Sequence, residues 1–156
     1  MKKLEMILIT GAIISLLMAL FNTPLDSLVG SVFFITLSCL YFCLGFALFN
    51  NIPFRKIFIP DSYKGLGSWK ILIAIGTGLA LSVLTIGIMC SVLSYPMAKT
   101  FLVVGIALAV INIILAVIKN AQEKDNFYRN VILRSFVFLI IAVIFLVLPG
   151  HIFNAP

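Results

Sequence analysis

The sequence predicts an all-α fold: a polytopic membrane bundle of five transmembrane helices, N-terminus inside and C-terminus outside. Three observations predict it. Of 156 residues, 63% are hydrophobic and 10% charged, whereas soluble domains carry about 25% charged residues. Five apolar stretches lie near 6–22, 28–49, 71–94, 100–118 and 131–148. Each approaches the roughly 20 residues that a helix needs to cross a hydrocarbon layer of about 30 Å. Finally, ten of the eleven Lys and Arg residues fall at the start, or in or bordering alternate gaps. Residues 1–156 thus read as a single integral membrane domain.

The first stretch follows Lys2 and Lys3, as a cleaved signal peptide would. What comes after it is Asn22-Thr23-Pro24-Leu25-Asp26, with no small-x-small cleavage site. It is expected to remain as the first helix. Pro24 then closes a short reversal, and Asp26-Ser27 are candidate caps for the second helix. Cys39 and Cys43 share a face of that helix, and Cys90 lies toward the outer end of the third. All three are expected to be small core residues; a soft sulfur site for Cu(I) is the alternative, opposed by their different depths. No metal, cofactor or catalytic site is therefore expected.

The gap at 50–70 holds Arg55, Lys56, Lys64 and Lys70. Phe54, Ile57 and Phe58 recur there at helical spacing between Pro53 and Pro60, which predicts a short piece in the headgroup layer. Arg55, Lys56, Trp69 and Lys70 are the expected membrane-surface anchors, with partner docking as the alternative. Gly65-Leu66-Gly67-Ser68 superficially suggests a phosphate loop, but it lacks the preceding strand and the spacing.

The third stretch carries Ala74, Gly78 and Ser82 at four-residue intervals. Small residues let membrane helices approach closely, so this stripe marks a helix-packing face. Gly11 with Ser15, and Gly105 with Ala109, are candidate matching surfaces. Pro96 closes the next reversal, and Thr100 is a candidate cap. Asn112, in mid-span, is expected to face other helices and hydrogen-bond across them, because an unpartnered amide in hydrocarbon costs several kcal/mol.

Lys119, Lys124, Arg129 and Arg134 occupy or border the next gap, whose polar run is expected to extend the fourth helix by a turn or two. Arg134 lies about a turn into the fifth span. It is expected to snorkel to the headgroups, with Asp125 and Glu123 as partners if it turns inward. Pro149 ends the span, and His151 stands alone after it. The two hairpins 6–49 and 71–118, with prolines at 24 and 96, form a possible repeat of parallel topology.

Basic residues resist translocation, so their distribution puts the N-terminus in the cytoplasm. A net charge of +6 then reads as membrane anchoring, and no nucleic-acid partner is expected. The spans show no central acid, Lys or His, which argues against a proton pump or ion motor. The absence of clustered His, Asp or Glu at the interface argues against a lipid-modifying enzyme. What the residues leave is a non-enzymatic accessory or scaffold subunit, or a self-associating bundle, in a bacterial cytoplasmic (inner) membrane. The alternative is a small uncoupled transporter or channel for an apolar or weakly polar solute, sparsely lined by Thr77, Thr85, Ser91 and Asn112. The expected partners are the lipid bilayer and other membrane subunits or further copies of the chain.

Residues 8–49, with Leu20-Phe21-Asn22-Thr23-Pro24 between two apolar helices, resemble the transmembrane hairpin of the gliding-motility and type IX secretion motor stator family. The resemblance covers this hairpin alone and implies a bacterial source. The family's motor activity depends on a glutamate within its second helix. The corresponding run from Leu28 to Phe49 holds no acid, so torque generation does not carry over.

Overall fold

The structure is a computed structural model, and it describes residues 2–20, 26–50, 52–53, 55, 57, 59 and 67–147. Among these, the order is α1 (Lys2–Leu20), α2 (Asp26–Phe49), α3 (Ser68–Val92), α4 (Ala98–Glu123) and α5 (Asn126–Val147), with no strand. Among the described residues, four helices are long and apolar enough to cross a membrane: α2 from Leu28, α3, α4 and α5. This is the architecture of a multi-pass membrane protein. α1 is 19 residues long and carries Lys2, Lys3 and Glu5 at its start.

Helix ends depart from the apolar runs because polar residues continue a helix wherever water solvates the backbone end. α4 runs on through Lys119 to Glu123, as its polar tail predicts, and also begins at Ala98. Thr100 is therefore inside the first turn of α4; the N-cap is Met97, with no side-chain cap. α5 starts at Asn126, five residues before the expected boundary, because Asp125 nucleates it. The Asp125 carboxylate accepts a hydrogen bond from the Phe127 N–H at 3.0 Å. Only Lys124, at φ 46°, and Asp125 separate α4 from α5. The α3–α4 reversal uses Ser94 at φ 54°, with the Tyr95 N–H donating to the Cys90 carbonyl. The expectations for Phe21 to Pro24, Phe54, Lys56, Phe58, Lys64, the 65–66 glycine loop, Pro149 and His151 lie outside the described residues.

α3 is the axis of the bundle, packed against α2, α4 and α5, while α1 packs on α2. Accordingly, 61% of the apolar window of α3 is buried, against 17% of that of α5. The small stripe explains how α2 comes so close. A Cβ added at Gly45 would lie 2.8 Å from the Gly78 Cα, and one at Gly78 would lie 2.6 Å from the Tyr41 carbonyl oxygen. Ala74 is fully buried, and the Ser82 and Ser38 hydroxyls are 2.8 Å apart across the same interface. Gly105 and Ala109 of α4 do face α3, Gly105 against Leu84. The α1 pair does not. Gly11 meets Phe33 and Ser15 meets Gly30, both of α2.

Asn112 is buried on α4 with its amide against Gly76 of α3. Its Nδ2 donates at 3.0 Å to the Leu108 carbonyl, four residues back. The hydrogen bond expected across helices is thus made within one. Within a helix the i−4 carbonyl is in reach of a short polar side chain, and that bond satisfies one of the amide's donors without a second helix. Cys39 and Cys43 also depart from expectation, since both are exposed on the outer face of α2 and only Cys90 is buried.

Candidate functional site

α1 and α5 stand side by side with a cleft between them, floored by α2 and α3. Its volume is about 490 Å³, within the roughly 300–1,000 Å³ range of small-molecule pockets. Ile9 and Ala12 of α1, Phe34 and Leu37 of α2, and Val137 and Phe138 of α5 supply most of the wall's character. The two threonines that reach the wall are already satisfied. Thr10 donates to the Met6 carbonyl at 2.8 Å and Thr85 to the Leu81 carbonyl at 2.7 Å. Along most of its length the cleft therefore presents hydrocarbon.

One end is different. Glu5, in the first turn of α1, is 5% exposed. Arg134, on the third turn of α5, extends Nη1 to both of its oxygens, at 2.8 and 3.0 Å. Tyr41, at the 1% exposed heart of α2, donates its hydroxyl to Glu5 Oε1 at 3.1 Å. Two aromatic rings hold the group in place. Phe138 meets Tyr41 edge to face at 5.6 Å between centroids, and the Phe49 ring lies 5.6 Å from the Arg134 guanidinium carbon. A carboxylate this buried requires a cation and a second donor to offset its lost hydration. Among the described residues no buried side-chain polar atom lacks a hydrogen-bond partner.

Arg134 therefore turns inward onto Glu5, and neither acid foreseen for it is used. Asp125 pairs with Lys70, and Glu123 accepts the Tyr128 hydroxyl at 2.9 Å. The Lys70 ammonium, followed by the Phe127 N–H, holds the Asp125 carboxyl below its ordinary pKa. Arg55 is exposed, and Lys56 lies outside the described residues. Trp69 is 48% exposed, with the Lys119 ammonium 4.6 Å from its ring. Ala74, Gly78, Ser82 and Asn112 all sit at α3 interfaces away from the cleft. Thr77 bonds back to the Ile73 carbonyl at 2.6 Å. Among the described residues, no three His, Cys, Asp or Glu side chains converge as a metal site.

Glu5 and Tyr41 escaped the sequence reading. Glu5 falls one residue before the apolar run that begins at 6, so it reads as a flank. A signal was nonetheless present: an acid and a base, Glu5 and Arg134, each bordering or entering an apolar run at the same end of the thread. Opposite charges at equal depth in hydrocarbon are expected to seek each other. Nothing in the linear pattern marked Tyr41.

No family model, no curated protein and no solved structure matches this chain.

Proposed function

We propose that this chain is a five-pass protein of a bacterial cytoplasmic membrane, N-terminus inside and C-terminus outside, acting as a non-enzymatic accessory or scaffold subunit or a self-associating bundle. The observation that carries this is the division between inner and outer surfaces. Among the described residues every buried side-chain polar atom has a hydrogen-bond partner, often a carbonyl of its own helix, which leaves little chemistry for a substrate. The outer faces of α4 and α5 are long and apolar, with Val103, Ile111, Ile114, Val117, Phe136 and Ile144 exposed. Such faces fit lipid, further copies of the chain or other membrane subunits. α1, despite its three charges, completes the fifth pass by lying against α2. Its Glu5 is neutralised in place, which lowers the cost of burying that end. Shared ancestry with the motor stator hairpin is compatible with this role and adds no motor chemistry.

Native mass spectrometry of protein extracted in mild detergent tests the assignment. A defined homo-oligomer or a stoichiometric complex with other membrane subunits is expected, and a bare monomer counts against it. Reporter fusions at the two termini test the topology. Both reporters in one compartment would overturn the five-pass thread.

The cleft favours a second reading, a small uncoupled transporter or channel for an apolar or weakly polar solute. That reading requires solute-dependent thermal stabilisation and flux into proteoliposomes.

A further inference from the structure

The cleft between α1 and α5 has three properties that together specify an occupant. The first is length. From Glu5 to Leu16, both lining residues, α1 rises about 16 Å at 1.5 Å per residue. A single leaflet of hydrocarbon is half of roughly 30 Å. The second is lining: below Glu5, Arg134 and Tyr41 every wall group is apolar or a threonine bonded to its own helix. A tail without polar atoms fits there, and a polar solute does not. The third is charge at the mouth. Arg134 keeps 30% side-chain exposure while Glu5, behind it, keeps 7%. A guanidinium has five N–H donors, and Glu5 is met by Nη1 alone. Donors are therefore left over on the outward, cationic partner.

The helix register adds cations at the same end. Lys3 lies one turn before Met6 on the Met6, Thr10, Ile13 rim of α1, and Arg129 lies one turn before Leu133 on the α5 rim. Both are exposed. An acceptor-rich anion is the complement of such a mouth, and the guanidinium plane suits a phosphate.

We propose that this cleft binds one acyl chain of an anionic phospholipid from the leaflet at the basic end, with its phosphate at Arg134. The lipid fills the gap between two helices that the Glu5–Arg134 pair ties together, and so acts as a structural component of the bundle. The inference rests on the multi-pass membrane reading.

The test uses the full chain, purified in a maltoside detergent and titrated with dioleoylphosphatidylglycerol, dioleoylphosphatidylcholine or oleate. Binding is read by native mass spectrometry and thermal unfolding. One phosphatidylglycerol per chain is expected, held about tenfold more tightly than phosphatidylcholine, a difference of about 1.4 kcal/mol. The double variant Glu5→Gln/Arg134→Gln, which keeps an amide pair and zero net change in charge, is expected to bind both phospholipids alike. Val137→Trp, which fills the cleft from a half-exposed position, is expected to weaken both. Circular dichroism confirms that each variant retains its helices. Equal affinity for the two phospholipids in the unmodified chain overturns the proposal, as does oleate matching phosphatidylglycerol or a lack of effect in Val137→Trp. A chain that stays in membranes through a carbonate wash yet retains no lipid sinks the cleft assignment alone. A chain released by that wash sinks the membrane reading itself.

Discussion

Arg134 and Glu5 are 129 positions apart in the chain, and one guanidinium nitrogen touches both oxygens of the carboxylate. This pair ties the last helix to the first, and the Tyr41 hydroxyl joins it from α2. Three of the five helices are therefore referenced to a single carboxylate.

Removing one partner leaves the other uncompensated. Arg134→Gln is expected to destabilise the bundle by about 1–3 kcal/mol, since the carboxylate it deserts is the more deeply buried of the two. Glu5→Gln is expected to cost less, because Arg134 is partly exposed. The double variant should recover part of the loss, with a coupling of about 0.5–3 kcal/mol. Unfolding in SDS, followed by circular dichroism, supplies all four corners of the cycle. Strict additivity would dissolve the pair as an energetic unit.

Gly78→Ile drives a branched side chain into the Tyr41 carbonyl and the Gly45 backbone. Backbone on both sides cannot yield as a side-chain tip can. α2 must move away from α3, at a cost of about 1–3 kcal/mol or more. A lowered midpoint in the same SDS titration is expected, and an unchanged one would remove Gly78 from the interface.

Asn112→Leu should do little. The amide bonds to its own helix at Leu108, so no link between helices is broken. Leucine is close in size, and a change within about 1 kcal/mol is expected. A larger loss of helix association would show that the amide bridges to α3 in the membrane.

The Asp125 carboxyl is held below its ordinary pKa by Lys70 and by the Phe127 N–H. A depressed folded value means that the folded state binds protons less readily than the unfolded chain. The contribution is thus present above the ordinary carboxylate range, about pH 4, and is lost as pH falls through the lowered value. Both side chains are partly exposed, 26% and 36%, so the effect is small and shrinks with salt. Melting curves between neutral and acidic pH should show a dependence that Asp125→Asn reduces. Identical profiles would place the stabilisation elsewhere.

How far the sequence could be read depended on what a residue responds to. Apolar length and polar punctuation are local, so the four long helices, the Pro96 reversal and the polar extension of α4 were legible. The small stripe at Ala74, Gly78 and Ser82 was legible as a packing surface, because close approach requires missing side chains whatever the neighbour is.

Which way each helix turns was not legible, and this is where the readings of Cys39, Cys43 and Arg134 failed; Asn112 does face α3, and only its hydrogen-bond partner differs. In water, a 3.6-residue apolar period marks the face that turns inward. In hydrocarbon the outer face is apolar too, so the period vanishes and rotation is set by contacts alone. By itself the chain determined that it is helical and bilayer-sized, with charge gathered toward one end. Only tertiary packing decided that Gly11 lies on Phe33, that Arg134 finds Glu5, and that a cleft opens between α1 and α5. Those outcomes depend on helix rotation and neighbour choice, which small residues permit and distant charges settle.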